Sequence, residues 1–317
     1  MAYSKPYLTI AQQLALIQQR GMIISDPQRA ALVLQKIGYY RLSGYWYPFR
    51  DTKLQNGITV VGNTFRPDTE LSTIIDLYIF DKKLRLLFLD AFERIEIALR
   101  VQISLTLGLR GPLAHRDPAL LHGNFSRRTD PKTGRVEHQE WLRRTDEKFK
   151  DSREDFAKHF RAKYVGDHPP IWIACETWDF GAMSYLFNGL ANIDQKAIAA
   201  EYGLTFDVLT SWIRAINVAR NVCAHHSRLW NRPNPSQPKW PSAAAMPNLT
   251  HIAQDTKALT RTYGTAALTK CLLNHTSPDT EWSNRLKALC NTFPAATNIS
   301  LSGAGFPPGW EMQPLWN

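Results

Sequence analysis

Arg220, Asn221 and His225 fall within one six-residue window of a 317-residue chain, and their side chains are of the types that cleave or grip a phosphodiester. A histidine with an ordinary pKa of ~6.5 can take the proton of a ribose 2′-OH or return one to a leaving 5′-oxygen. Arginine offers a planar, permanently charged fork to a phosphate whose charge grows in the transition state. The asparagine amide can orient either partner. Such a set needs no metal ion, but it does need RNA, because DNA lacks the internal nucleophile.

The spacing alone carries little weight. Chance supplies roughly 0.65 pairs of Arg and His five positions apart in a chain of this composition, and two occur, Arg110 with His115 and Arg220 with His225. The first pair spans Gly111 and Pro112, so no helix can present it. The second falls on an expected helix, with Asn directly after the arginine. Asn217, Asn221 and His225 recur at every fourth position and share one stripe of that helix, with Arg220 beside it. Arg220 and His225 nevertheless diverge by about 140° around the helix and ~7.5 Å along it. Either the arginine curls across on its long side chain, or a second copy of the helix completes the site in a homodimer. Asn217, His226 and Arg228 are further candidate RNA contacts. A plainer reading of the same residues is a helix end whose carbonyls are met by His225, His226 and Arg228, which also suit the negative end of the dipole. Cys223, His225 and His226 have the wrong spacing for zinc and no fourth ligand nearby, so neither metal nor cofactor is expected.

The elements that must position this group read as helices throughout. Thr9 caps a first helix ending at Gly21, and Asp26-Pro27 starts a second ending at Gly38. Residues 38–51 then interleave six aromatics with Arg41 and Arg50, a pattern that stacks on bases or wedges into a core. From Asp68 to Gly108 runs the strongest helical signal, with Leu84, Leu87, Phe88, Ala91, Ile95 and Leu99 on one stripe and Lys82, Arg85, Glu93 and Arg100 off it. Glu96 and Arg100, four apart, suit a surface or interhelical pair. Residues 109–139 read as an irregular basic insertion, and the cations of 110–144, Arg127 and Arg128 among them, make a candidate phosphate-contacting flap. Helices follow at 140–163, 171–190, 194–203 and 205–226, the last stopped by Pro233, Pro235, Pro238 and Pro241. Two more are expected near 250–263 and 279–292. No strand alternation stands out. The class is therefore all-α, with an N-terminal helical extension (1–67), a helical core (68–232) containing the insertion, and a Pro-containing linker with C-terminal helices (233–317).

The net charge of +10 and pI near 9.5 favour an anionic partner. Four cysteines, spread singly, suggest neither disulfides nor a zinc cluster and read as buried small hydrophobes in a reducing compartment. No apolar run reaches the ~20 residues that cross a bilayer, and no signal peptide is read at the start, so a cytoplasmic protein without a membrane partner is expected.

The stretch RNVCAHHSRLWNR resembles the signature of the abortive-infection Abi-like family (the AbiD/AbiF group), placed within the HEPN superfamily of helical ribonucleases defined by an arginine and a histidine with four to six residues between them. GYYRLSGYWYPFR, FDKKLRLLFLDAFERIEIALR and IWIACETWDFGAMSYLFNGL look like three further family blocks in the right order, together covering about residues 30–232. The resemblance implies a HEPN-type helical bundle that dimerises to pair two motifs, metal-independent RNA cleavage, and a role in phage defence. It carries the family's arginine onto Arg220, its polar second residue onto Asn221 and its histidine onto His225. A rival reading of another class is a non-catalytic RNA-binding regulator that holds a small non-coding RNA or a defence partner.

Overall fold

The computed structural model describes residues 6–131 and 133–317, and the described chain is mostly helical with one small sheet. Helix α1 (Ile10–Gln19) opens on Thr9, which exchanges cap hydrogen bonds with Gln12, and α2 (Pro27–Ile37) opens on Asp26, whose carboxylate accepts the Arg29 N–H at 2.9 Å. Both starts are as the punctuation expects. Helix α3 (Tyr39–Trp46) buries Leu42, Tyr45 and Trp46 and leaves Tyr40 exposed. The aromatic segment is thus mainly a wedge into the core.

The sequence reading expects no strand, yet β1 (Arg50–Gln55) and β2 (Ile58–Phe65) form an antiparallel hairpin. Asn56 and Gly57 join them with φ of 51° and 77°, the left-handed pair that a two-residue hairpin turn requires. Alternation hid the strands because Leu54, Ile58 and Val60 face solvent and no buried face is patterned. The class is unchanged.

Next come α4 (Leu71–Gly108), α5 (Gly123–Arg127), α6 (Glu137–Asp151), α7 (Asp155–Lys163), α8 (Ile171–Ala174), α9 (Phe180–Gly189), α10 (Asn192–Glu201) and α11 (Phe206–Ala224). After the prolines lie α12 (Thr250–Ala253), α13 (Thr256–Thr260), α14 (Thr262–Thr276) and α15 (Trp282–Cys290). The C-terminal helices differ from expectation in that the helix foreseen near 250–263 is broken into α12 and α13, and α14 packs on them where no helix is foreseen. Gly264 allows it, since a Cβ there would sit 2.6 Å from the carbonyl oxygens of Ala258 and Leu259.

The 38 residues of α4 form one uninterrupted scaffold against which α3, α8, α11, α14 and α15 pack. All six side chains of its expected stripe are buried. Arg85, expected off the stripe, is buried as well, because α4 is covered on more than one side. One apolar core runs from Ile17 through Trp316, so side chains of 1–67 and 233–317 join that of the central helices. The insertion is packed rather than loose, with Phe125 buried and His115 so enclosed that burial pulls its imidazole down to about 3. All four cysteines are buried free thiols, and burial pushes that of Cys175 up to about 11 and those of Cys223, Cys271 and Cys290 up to about 12. Among the described residues no helix is long and apolar enough to cross a membrane.

Candidate functional site

Helix α11 starts on a Thr205 cap and sinks Leu209, Trp212, Ile213, Ile216, Ala219 and Cys223 into the core. Its remaining face climbs outward along the stripe: Asn217 is half-buried, Asn221 and His225 are exposed. The helix ends at Ala224, and His226 turns left-handed at φ 56°. The His226 N–H then donates to the Cys223 carbonyl (3.1 Å) and the Ser227 N–H to that of Val222 (2.9 Å), the paired bonds of a Schellman turn. Backbone groups close the helix end here, and the imidazoles of His225 and His226 are left exposed, unlike the plainer reading of these residues. A Schellman turn favours glycine where His226 stands. His226→Gly should therefore raise stability by about 0.5–1 kcal/mol, read as a higher urea midpoint; a lower midpoint would show that the imidazole contributes to the fold.

The turn is clamped from two sides. Arg41 on α3 donates to the His226 carbonyl at 2.6 Å, and the Arg228 guanidinium donates to the Gly44 carbonyl. Burial lowers the pKa of Arg228. Below them the fully buried Asp81 carboxylate accepts the N–H groups of Leu229 (3.1 Å) and Trp230 (2.8 Å) and the Tyr45 hydroxyl (2.7 Å), and pairs with Arg85. Burial raises the Asp81 pKa, with Arg85 and these donors opposing it. The Thr262 hydroxyl closes the far side on the Leu229 and Trp230 carbonyls, both at 3.0 Å. Sequence reasoning missed this hub. Its only signal was a pair of opposite charges four apart inside an apolar run.

Arg220 is half-buried, and its charge acts on the carboxylates of Glu96 on α4 and Asp179 at the start of α9. Burial raises the Glu96 pKa against the pull of Arg100 and Arg220. At Asp179 burial acts upward, but Lys148, the Ala182 N–H and Arg220 together bring it below its ordinary value. The Glu96–Arg100 pair does form, at 3.0 Å, and Arg100 reaches on to Glu176 and the Trp178 carbonyl. The Asn217 amide nitrogen lies beside Gly181. The Arg220 charge thus bears on groups of α4 and α9 and Asn217 lies against α9, whereas His225, His226, Arg41 and Arg228 belong to the end of α11 and the α3 residue that clamps it.

Arg127 and Arg128 stand on another element, at the end of α5. Much of the flap's positive charge is matched within the chain: Arg116 pairs with Asp146, Arg128 with Glu137, and Arg135, Arg143 and Arg144 all with Glu140. The other Arg-to-His pair is structural, since Arg110 is bound to Asp194 and His115 is buried. Cys223 is buried while His225 and His226 are exposed, so the three do not converge.

No curated protein and no solved structure matches the chain. A family model described as Abi-like protein matches residues 32–231, more than half of the chain. The matched stretch takes in Arg41, the Asp81 hub, Glu96, Asp179 and the whole of α11 with its terminal turn, so the geometry around Arg220 and His225 lies inside it. On that match the chain belongs to the Abi-like protein family.

Proposed function

We propose that the chain is an abortive-infection ribonuclease of the HEPN superfamily, of the AbiD/AbiF group, whose site is Arg220, Asn221 and His225. The observation that carries the reading is an exposed histidine on the turn that ends α11, five residues after an arginine on the same helix. In this reading the 2′-oxygen attacks phosphorus as a histidine takes its proton. The P–O5′ bond breaks, a histidine returns a proton to the 5′-oxygen, and a 2′,3′-cyclic phosphate remains. Arg220 neutralises the charge that gathers on the phosphoryl oxygens. Arg220 and His225 diverge around α11, so a homodimer that pairs one chain's arginine with the other's histidine completes each site, the one histidine taking the first proton and returning it. His226, Arg228 and Arg41 line the same end and are assigned to the RNA backbone, with Arg127 and Arg128 as more distant contacts.

The deciding experiment incubates the full chain with an RNA and with the same strand carrying 2′-deoxyribose throughout. Cleavage of the first only, leaving 2′,3′-cyclic ends, is expected. Equal cleavage of both would sink the mechanism, and RNA held tightly but intact would replace the enzyme with the RNA-holding regulator.

A further inference from the structure

A hollow of about 370 Å³ opens between α6 and α9. Trp141 backs it, held by its indole N–H on the Ala182 carbonyl at 2.9 Å. Tyr185 forms a wall, 43% exposed, and donates its hydroxyl to Glu137 at 2.8 Å. Arg144, Lys148 and Asp179 stand among its lining residues, and Asp179 is one of the two carboxylates on which the Arg220 charge acts. The size is that of a pocket for a small organic group.

The hollow does not stand alone. A second one, of about 260 Å³, shares Glu137 and Tyr185 with the first and continues to His122 and Arg128. A third, of about 490 Å³, shares His122 and Arg128 with the second and ends on Arg127. The His122 N–H to Gly189 carbonyl bond (2.9 Å) ties the α5 side of this track to α9. A chain of linked hollows, walled by an aromatic ring at the first joint and ending on arginines, has the form of a site for a polymer whose units carry flat rings. Single-stranded RNA is such a polymer, since its unstacked bases lie against aromatic side chains while cations take the phosphates. The first hollow is also acidic, and carboxylates accept hydrogen bonds from base amines. Guanine, adenine and cytosine carry such an amine and uracil does not.

We propose that the hollow against Tyr185 is a base-binding subsite for the nucleotide next to the phosphate at Arg220, and that it selects an amine-bearing base over uracil. It rests on the ribonuclease reading for its phosphate. Tyr185 stacks on the base, Glu137 accepts from its amine, and Arg144 and Lys148 meet the flanking backbone.

The test uses the full chain carrying His225→Ala, so that RNA stays intact, titrated with labelled oligocytidylate and oligouridylate hexamers that differ only at the base. Cytidylate should bind about tenfold more tightly, and Tyr185→Ala should weaken it about tenfold, the loss expected of one stacked base. Tyr185→Phe, which keeps the ring, should retain most of the affinity, and Glu137→Gln should bring the two hexamers closer together. Equal binding of both hexamers, or an unchanged affinity in Tyr185→Ala, overturns the subsite. The parent chain is assayed beside it for cleavage. Cleavage that depends on Arg220 and His225 without these preferences defeats the subsite alone. The preferences without cleavage defeat the ribonuclease alone.

Discussion

RNA cleavage is expected to fall at least about a hundredfold in Arg220→Ala and in His225→Ala, and mixing the two inactive variants should restore about a quarter of the parent rate. The first part follows from the roles assigned, since a positioned acid or base contributes ~10²–10⁴ in rate and removal of a transition-state charge donor costs ~10²–10³. The second part follows from the geometry. The Arg220 charge acts on Glu96 and Asp179, within the helical stretch, while His225 stands on the exposed turn beyond Ala224. If a two-fold dimer pairs one chain's arginine with the other's histidine, a mixed dimer keeps one intact site of two. Random exchange makes about half of the dimers mixed, so about a quarter of all sites survive. A quenched fluorescent RNA, followed after the variants are mixed and annealed, measures this. A mixture as inactive as its components would assign both groups to one chain. Full activity in either variant alone would remove that residue from the chemistry.

Four sequence blocks far apart in the chain meet at this place, and that convergence explains what could be read early. The first contributes Arg41 and Tyr45, the second Asp81 and Glu96, the third Asp179, and the last Arg220 and His225. Helix α11 and its stripe were legible because one face is apolar at helical period and prolines end it. The long α4 was legible for the same reason. The burial of Arg85 was not, because periodicity marks one buried face and α4 is covered on more than one. The hairpin was masked by exposed apolar side chains, although Asn56-Gly57 was a fair turn signal. The closed end of α11 was hidden by a histidine where glycine is the usual mark. The neutralisation of the flap was beyond composition, which counts eight cations in 110–144 but cannot see Glu140 held by three of them.

The Asp81 hub yields the largest effect expected on the fold. Asp81→Ala should cost about 3–5 kcal/mol in urea unfolding, because it leaves the Arg85 guanidinium buried and unmatched. The 0% exposure of Asp81 and the 4% of Arg85 leave little room for water to take over. The N–H groups of Leu229 and Trp230 lose their acceptor in the same step, adding to the penalty for unmet buried donors. The pair itself need not be the source of stability. Apolar replacement of both members of a buried ion pair is often neutral, so Asp81→Leu with Arg85→Met should recover much of what the single change loses. Such a double variant, folded but without the acceptor beneath Leu229 and Trp230, separates holding the fold from holding the turn. If Asp81 positions His225, the double variant keeps RNA affinity and loses cleavage, since the phosphate contacts at Arg220 are untouched while the histidine turn is not anchored. A single Asp81→Ala that unfolds at the parent's urea midpoint would show the hub to be dispensable. A double variant that cleaves at the parent rate would leave the turn held by Arg41, Arg228 and Thr262 alone.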